Sequence, residues 1–128
     1  LVKWNNFTAS YFASASHNRL DIYRIEHMVN TDGKRYRSAL LQNSSKDLLA
    51  VSCAEWSQDK NKPMWIAYGC SSGTVNIMDT ESKNEIIVNN SLRYRRPCTQ
   101  VTWSPLVPSL LATGFDKQRT YEIYLLFI

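Results

Sequence analysis

Four kinds of side chain in this sequence could do chemistry. They are the thiols Cys53, Cys70 and Cys98, the imidazoles His17 and His27, a few carboxylates, and the basic clusters Lys34-Arg35-Tyr36-Arg37 and Arg93-Tyr94-Arg95-Arg96. The cysteines lie 17 and 28 positions apart. Their odd number and wide spacing make no disulfide framework, and the lack of any CxxC or CxxH pair argues against a zinc site. Cys53 and Cys70 fall on strand-like segments, where a buried, inert thiol is the default. Cys98 follows Arg95-Arg96-Pro97 and is the cysteine with an electropositive neighbourhood that could lower a thiol pKa. Asp79 with Glu81, and Asp116 beside Lys117, read as solvated turn residues rather than an acid–base pair. No Gly-x-Ser-x-Gly elbow or Walker loop occurs, and four glycines (Gly33, Gly69, Gly73, Gly114) draw no phosphate cradle. The expectation is a protein that is not an enzyme and holds no cofactor or metal.

The basic clusters are the surface features with a binding reading. Arg93, Tyr94, Arg95 and Arg96 are expected on an exposed link. There Arg and Tyr suit contact with a protein partner, ahead of a plain solvated loop or a nucleic-acid clamp. Lys34–Arg37 follows the turn signal Thr31-Asp32-Gly33 and is expected to be solvated. The overall charge is mild: 15 Lys+Arg against 11 Asp+Glu, or +4. An apolar content of 44% fits a globular segment of about one domain and excludes wholesale disorder. The apolar run closing the chain, Leu125–Ile128, is far short of the ~20 residues a spanning helix needs. No basic-then-apolar leader is visible. The three Asn-x-Ser/Thr sequons, at Asn6, Asn43 and Asn89, are read as unused, and an intracellular setting is expected. The chain starts without Met and stops inside an apolar run, which leads us to expect a piece of something longer.

The elements that carry these residues repeat. Leu1–Trp4, Tyr11–Ser16 and Leu20–Tyr23 form one set; Val51–Ser57, Trp65–Cys70 and Thr74–Asp79 a second; Thr99–Pro105, Leu110–Phe115 and Glu122–Phe127 a third. The anchoring residues Trp4, Trp56 and Trp103 are 52 and 47 apart, and each is followed at 9, 11 and 9 residues by Ala13, Ala67 and Ala112. Period-2 alternation, as in Val75 and Ile77 against Thr74 and Asn76, marks half-buried strands. Ser71-Ser72-Gly73 has the shape of a hairpin turn. Sustained 3.6 periodicity is absent, so almost no helix is expected. Small residues on each middle strand let neighbouring sheets approach, while tryptophans fill the wider space between them. That is the pattern of a radial array of four-stranded sheets.

These residues resemble WD-repeat blades. Ala67-Tyr68-Gly69-Cys70-Ser71-Ser72-Gly73-Thr74-Val75-Asn76-Ile77-Met78-Asp79 follows the usual small-x-Gly-x-x-x-Gly-Thr-Val-x-Ile-Trp-Asp run, with Met78 in place of Trp and Asp79 retained. The Gly-His dipeptide that opens many blades is missing, so the blades are degenerate. A narrower likeness lies in Thr102-Trp103-Ser104-Pro105 and Leu111-Ala112-Thr113-Gly114-Phe115-Asp116-Lys117-Gln118-Arg119. It is similar to the Mio (missing oocyte) family, with its Ala-Trp-Asn-Pro and Leu-Ala-x-Gly-Leu-Asp-Lys-x-Arg. In that alignment Phe127 takes the Trp position of the last signature dipeptide and Ile128 replaces its Asp.

The resemblance implies an all-β fold, a partial WD-repeat β-propeller of about three blades. Blades are expected at 1–28, 48–90 and 91–128, with 29–47 an irregular connection. Trp4, Trp56, Gly69, Gly73, Asp79, Trp103, Gly114 and Asp116 are the structural signature positions. The family resemblance further implies a scaffold subunit of the GATOR/SEA assembly, which relays amino-acid sufficiency to the TOR kinase. Its partners would be the other subunits of that assembly. Its place would be the cytoplasm and, through the complex, the lysosomal or vacuolar surface. The alternatives are a WD-repeat scaffold of an unrelated complex, or a basic propeller binding nucleic acid. Ile77, Val75, Ile123 and Leu125 are expected on end faces without a neighbour, which would make the segment unstable alone.

Overall fold

Alternating apolar residues, short polar turns and small middle strands give three antiparallel sheets in chain order. The computed structural model describes residues 1–45, 50–82, 84–86, 96–117 and 120–127. The first sheet is a meander of β1 (Val2–Trp4), β2 (Tyr11–Ala15), β3 (Leu20–Val29) and β4 (Arg35–Ser45). The second runs β5 (Val51–Trp56), β6 (Trp65–Cys70), β7 (Val75–Asp79) and β8 (Asn84–Ile86). The third has β9 (Cys98–Trp103), β10 (Leu110–Lys117) and β11 (Thr120–Phe127). No helix occurs among the described residues.

The first sheet corrects one expectation. Of the stretch 29–47, expected as an irregular connection, the described part 29–45 is a regular hairpin arm: it carries β4, paired with β3 from Leu20↔Ser45 out to Val29↔Arg35. The turn that closes this long hairpin is held by Asn30, whose Oδ1 accepts from the backbone N–H groups of Asp32 (3.0 Å) and Lys34 (2.8 Å). Gly33 supplies the positive φ of 76° that an L side chain would resist. The expected Ser71-Ser72-Gly73 turn is present. Gly73 sits at φ 90° and its N–H donates to the Cys70 carbonyl at 3.0 Å.

Each sheet has two unlike faces, because strand side chains alternate. One face carries a cross-strand band headed by tryptophan: Trp4, Phe12, Tyr23 and Leu41 in the first sheet, Trp56, Ile66 and Met78 in the second, Trp103 and Leu111 in the third. The other face carries small residues on the middle strand with aliphatic residues opposite. Ala13 and Ala15 lie across from Ile22 and Leu20, Ala67 and Gly69 from Ile77 and Val75, Ala112 and Gly114 from Leu125 and Ile123. The tryptophan face of one sheet packs on the small-residue face of the sheet before it. Trp56, Ile66 and Met78 share a core with Ala13, Ala15, Leu20 and Ile22. Trp103, Leu111 and Phe115 share the next with Ala67, Val75 and Ile77.

This stacking divides the residues expected on open ends. Val75 and Ile77 are buried against the third sheet, contrary to expectation. Ile123 and Leu125 are 71% and 63% exposed, as expected.

Candidate interaction surface

The motif that follows each tryptophan explains how the sheets are held in one orientation. The next residue is Asn5, Ser57 or Ser104. Its backbone N–H donates to the first residue of the middle strand: Asn5 to Tyr11 O at 3.0 Å, Ser57 to Trp65 O at 2.8 Å, Ser104 to Leu110 O at 2.8 Å. Its side-chain oxygen then accepts backbone N–H groups of the turn. Asn5 Oδ1 takes Phe7 and Thr8, Ser57 Oγ takes Asp59, and Ser104 Oγ takes Leu106 and Val107. These side-chain turns fix the chain direction after the tryptophan. The indole is thereby aimed at the preceding sheet. Trp56 Nε1 donates to the carbonyl of Lys3 at 2.9 Å, and Trp103 Nε1 to the carbonyl of Glu55 at 3.1 Å. In both cases the acceptor is the residue just before the preceding sheet's own tryptophan. Asn5 and Asn6 add bonds to Pro63 and to Trp56 and Ser57 carbonyls.

The signature positions divide into structural and exposed. Trp56 and Trp103 are buried joints, whereas Trp4 is 57% exposed and its ring lies tilted against Phe12 of its own sheet, centroids 5.2 Å apart. Gly69 is a close-approach glycine: a Cβ there would meet Cys98 Sγ at 2.5 Å and Cys53 Sγ at 2.8 Å. Gly114 holds the matching place in the third sheet but has nothing nearer than Thr99 Oγ1 at 3.8 Å. Asp79 Oδ1 accepts from the Glu81 N–H at 3.0 Å and caps its own turn. Asp116 is exposed.

Of the predicted contact cluster, Arg93, Tyr94 and Arg95 lie outside the described residues, and Arg96 is exposed. The structure brings together a surface that was not predicted. Trp4, Phe7 and Arg37 line a groove of about 480 Å³ with Asn5, Asn6, Thr8 and Ala9. Beside it the β3–β4 hairpin exposes Met28, Val29, Tyr36, Leu40 and Leu41. Arg37, read as plainly solvated, thus borders an aromatic groove. The turn at Thr31–Gly33 is read from the sequence, and the signal missed is that strand-forming residues flank it on both sides.

Cys53 and Cys70 are buried on strands, as expected. Cys98 is fully buried, and its thiol is pushed up rather than down, first by its hydrogen-bonded neighbour Cys53 and then by burial. Cys53 is the thiol held low, first by its side-chain hydrogen bond with Cys98. Among the described residues, no group of three or more His, Cys, Asp or Glu could hold a metal, and no helix is long and apolar enough to cross a membrane.

Comparison with solved structures decides the architecture. Sqt1 from Chaetomium thermophilum superposes with a TM-score of 0.70 at 19% identity, covering 96% of this chain and 29% of that one. The fold is a partial WD-repeat β-propeller. A structure of Sqt1 bound to the N-terminus of ribosomal protein L10 matches with a TM-score of 0.69 at 19% identity over 96% of this chain and 31% of that one. A chain of the Chaetomium thermophilum polycomb repressive complex 2 matches with a TM-score of 0.64 at 16% identity, covering 90% of this chain and 26% of that one. No protein-family model matches. Among curated proteins, the GATOR2 complex protein MIOS of Dictyostelium discoideum is 29% identical over 79 residues, which is 62% of this chain. The chain spans 7% of that relative's length.

Proposed function

We propose that these blades belong to a non-catalytic interaction scaffold, and that the scaffold is a subunit of a GATOR/SEA-type assembly relaying amino-acid sufficiency to TOR kinase. The observation that carries the reading is the 29% identity to a GATOR2 complex protein over 79 residues of a propeller fragment. The geometry supports the scaffold part. Buried tryptophan joints stiffen the sheets, while an aromatic groove with Arg37 and the apolar β3–β4 hairpin face outward. Aromatic and Arg side chains on a rigid support are the residues that anchor protein interfaces. Such a subunit would act in the cytoplasm and reach the lysosomal or vacuolar membrane through its assembly. Arg96, with Arg93, Tyr94 and Arg95, is a further contact in this reading.

The test is affinity purification of the protein carrying these blades from nuclease-treated lysate, with mass spectrometry of what co-purifies. GATOR or SEA subunits in near-stoichiometric amounts are expected. An unrelated set of proteins would leave a scaffold of another complex. Loss of all partners on nuclease treatment would point to nucleic acid and overturn the reading.

A further inference from the structure

We propose that Cys53 and Cys98 form an oxidisable pair that closes to a disulfide joining the second and third sheets. The two sulfurs face each other across the joint at 3.8 Å, one on β5 and one on β9. The space around them is kept clear by Gly69, where any Cβ would stand 2.5 Å from one sulfur and 2.8 Å from the other. A disulfide needs about 2.05 Å between sulfurs. Side-chain rotation at the two cysteines has to supply the remaining approach.

The two thiols are unequal in access. Cys53 lines a groove of about 330 Å³ where β1, β5 and β9 meet, with Lys3, Ser52, Thr99 and Gln100 also on its walls. Cys98 does not line it and is fully buried. The hydrogen bond between the two sulfurs also holds the Cys53 thiol low, which favours the thiolate, the form that attacks. Cys70 takes no part, because it packs in the core against the first sheet.

With hydrogen peroxide as oxidant, the Cys53 thiolate attacks one peroxide oxygen. The O–O bond breaks, Cys53 becomes a sulfenic acid, and the departing hydroxide takes a proton to leave as water. The Cys98 sulfur then attacks the Cys53 sulfur as it loses its own proton. The S–O bond breaks and a second water leaves. Two thiols are oxidised by two electrons and one peroxide is reduced to two waters. The product ties β5 to β9 at the joint that Trp103 already holds.

The test treats the folded protein with hydrogen peroxide, removes the peroxide, unfolds the chain in denaturant, blocks free thiols by alkylation, and maps peptides without reduction. Expected is a Cys53–Cys98 cross-linked peptide, loss of two hydrogen atoms from the intact mass, Cys70 still alkylated, and full reversal by dithiothreitol. In Cys98→Ser, Cys53 should stop at the sulfenic acid and be trapped by dimedone. In Cys53→Ser, Cys98 should remain a free thiol. The wild-type map decides the matter even if a variant fails to fold. Cys53 linked to Cys70, Cys53 driven to sulfinic acid with Cys98 still free, or both thiols fully alkylated after peroxide would each overturn the proposal.

Discussion

Ile77 and Leu125 occupy the same place in successive sheets, each opposite the first small residue of the middle strand, yet one is sealed and the other is 63% exposed. The same contrast separates Trp56 and Trp103 from Trp4, and Gly69 from Gly114. In every pair the residue type suits burial, and only the presence of a neighbouring sheet differs. The lesson is that these signature residues are half of a contact. Their energetic value depends on the next sheet, as expected of an array whose stability is a sum over joints.

Three pairs of substitutions probe this contrast. The largest effect is expected from Ile77→Lys, which leaves an unpaired charge in a sealed joint and should cost more than about 4 kcal/mol. Leu125→Lys should leave the denaturant midpoint nearly unchanged and reduce self-association of the open face. Equal loss from both would break the contrast. Next, Trp56→Ala removes a buried indole and its bond to Lys3, for an expected loss of about 3–5 kcal/mol. Trp4→Ala should cost far less in the same urea titration. Third, Gly69→Ala forces a methyl against the Cys98 and Cys53 sulfurs and should cost about 1–3 kcal/mol. Gly114→Ala has room and should stay within about 0.5 kcal/mol.

The smallest effect concerns Glu55, beside the joint of the second and third sheets. Burial pushes its carboxyl above the usual range, offset in part by the Trp103 backbone N–H, the Lys3 charge and the Thr102 hydroxyl. The folded state therefore binds a proton more readily than the unfolded chain. Stability falls as pH rises from the ordinary carboxylate pKa through the raised one, and the cost remains at neutral pH. Glu55→Gln should raise stability at pH 7 by no more than about 0.5 kcal/mol and flatten that fall. A drop in stability at pH 7 would show that the carboxylate's bonds outweigh its desolvation.

The periodic parts of this fold were legible because each one reports a repeated contact. Tryptophan, small residue and alternating strand recur where sheet meets sheet, so Trp56, Ala67 and Ile77 announce their roles. Strand β4 was not legible. Most of its residues are exposed, so no burial alternation marks it, and only Asn30 and Gly33 hint at the hairpin. Asn5 hid for a related reason: it does with an amide what Ser57 and Ser104 do with a hydroxyl. The Cys53–Cys98 approach depends on how β9 docks beside β5, 45 residues on, and no local spacing encodes that. The same docking buries Cys98 completely in the core between the second and third sheets.

The most direct test is hydrogen exchange of the indole N–H groups of the 128-residue chain, resolved by nitrogen-15 NMR. Two joints between three sheets predict strong protection of Trp56 and Trp103, whose indoles donate to Lys3 and Glu55, and exchange close to that of a free indole for Trp4. In a chain that circular dichroism shows to be folded, exchange of Trp56 and Trp103 as fast as Trp4 would contradict the account, because the joints that define the stack would then not exist.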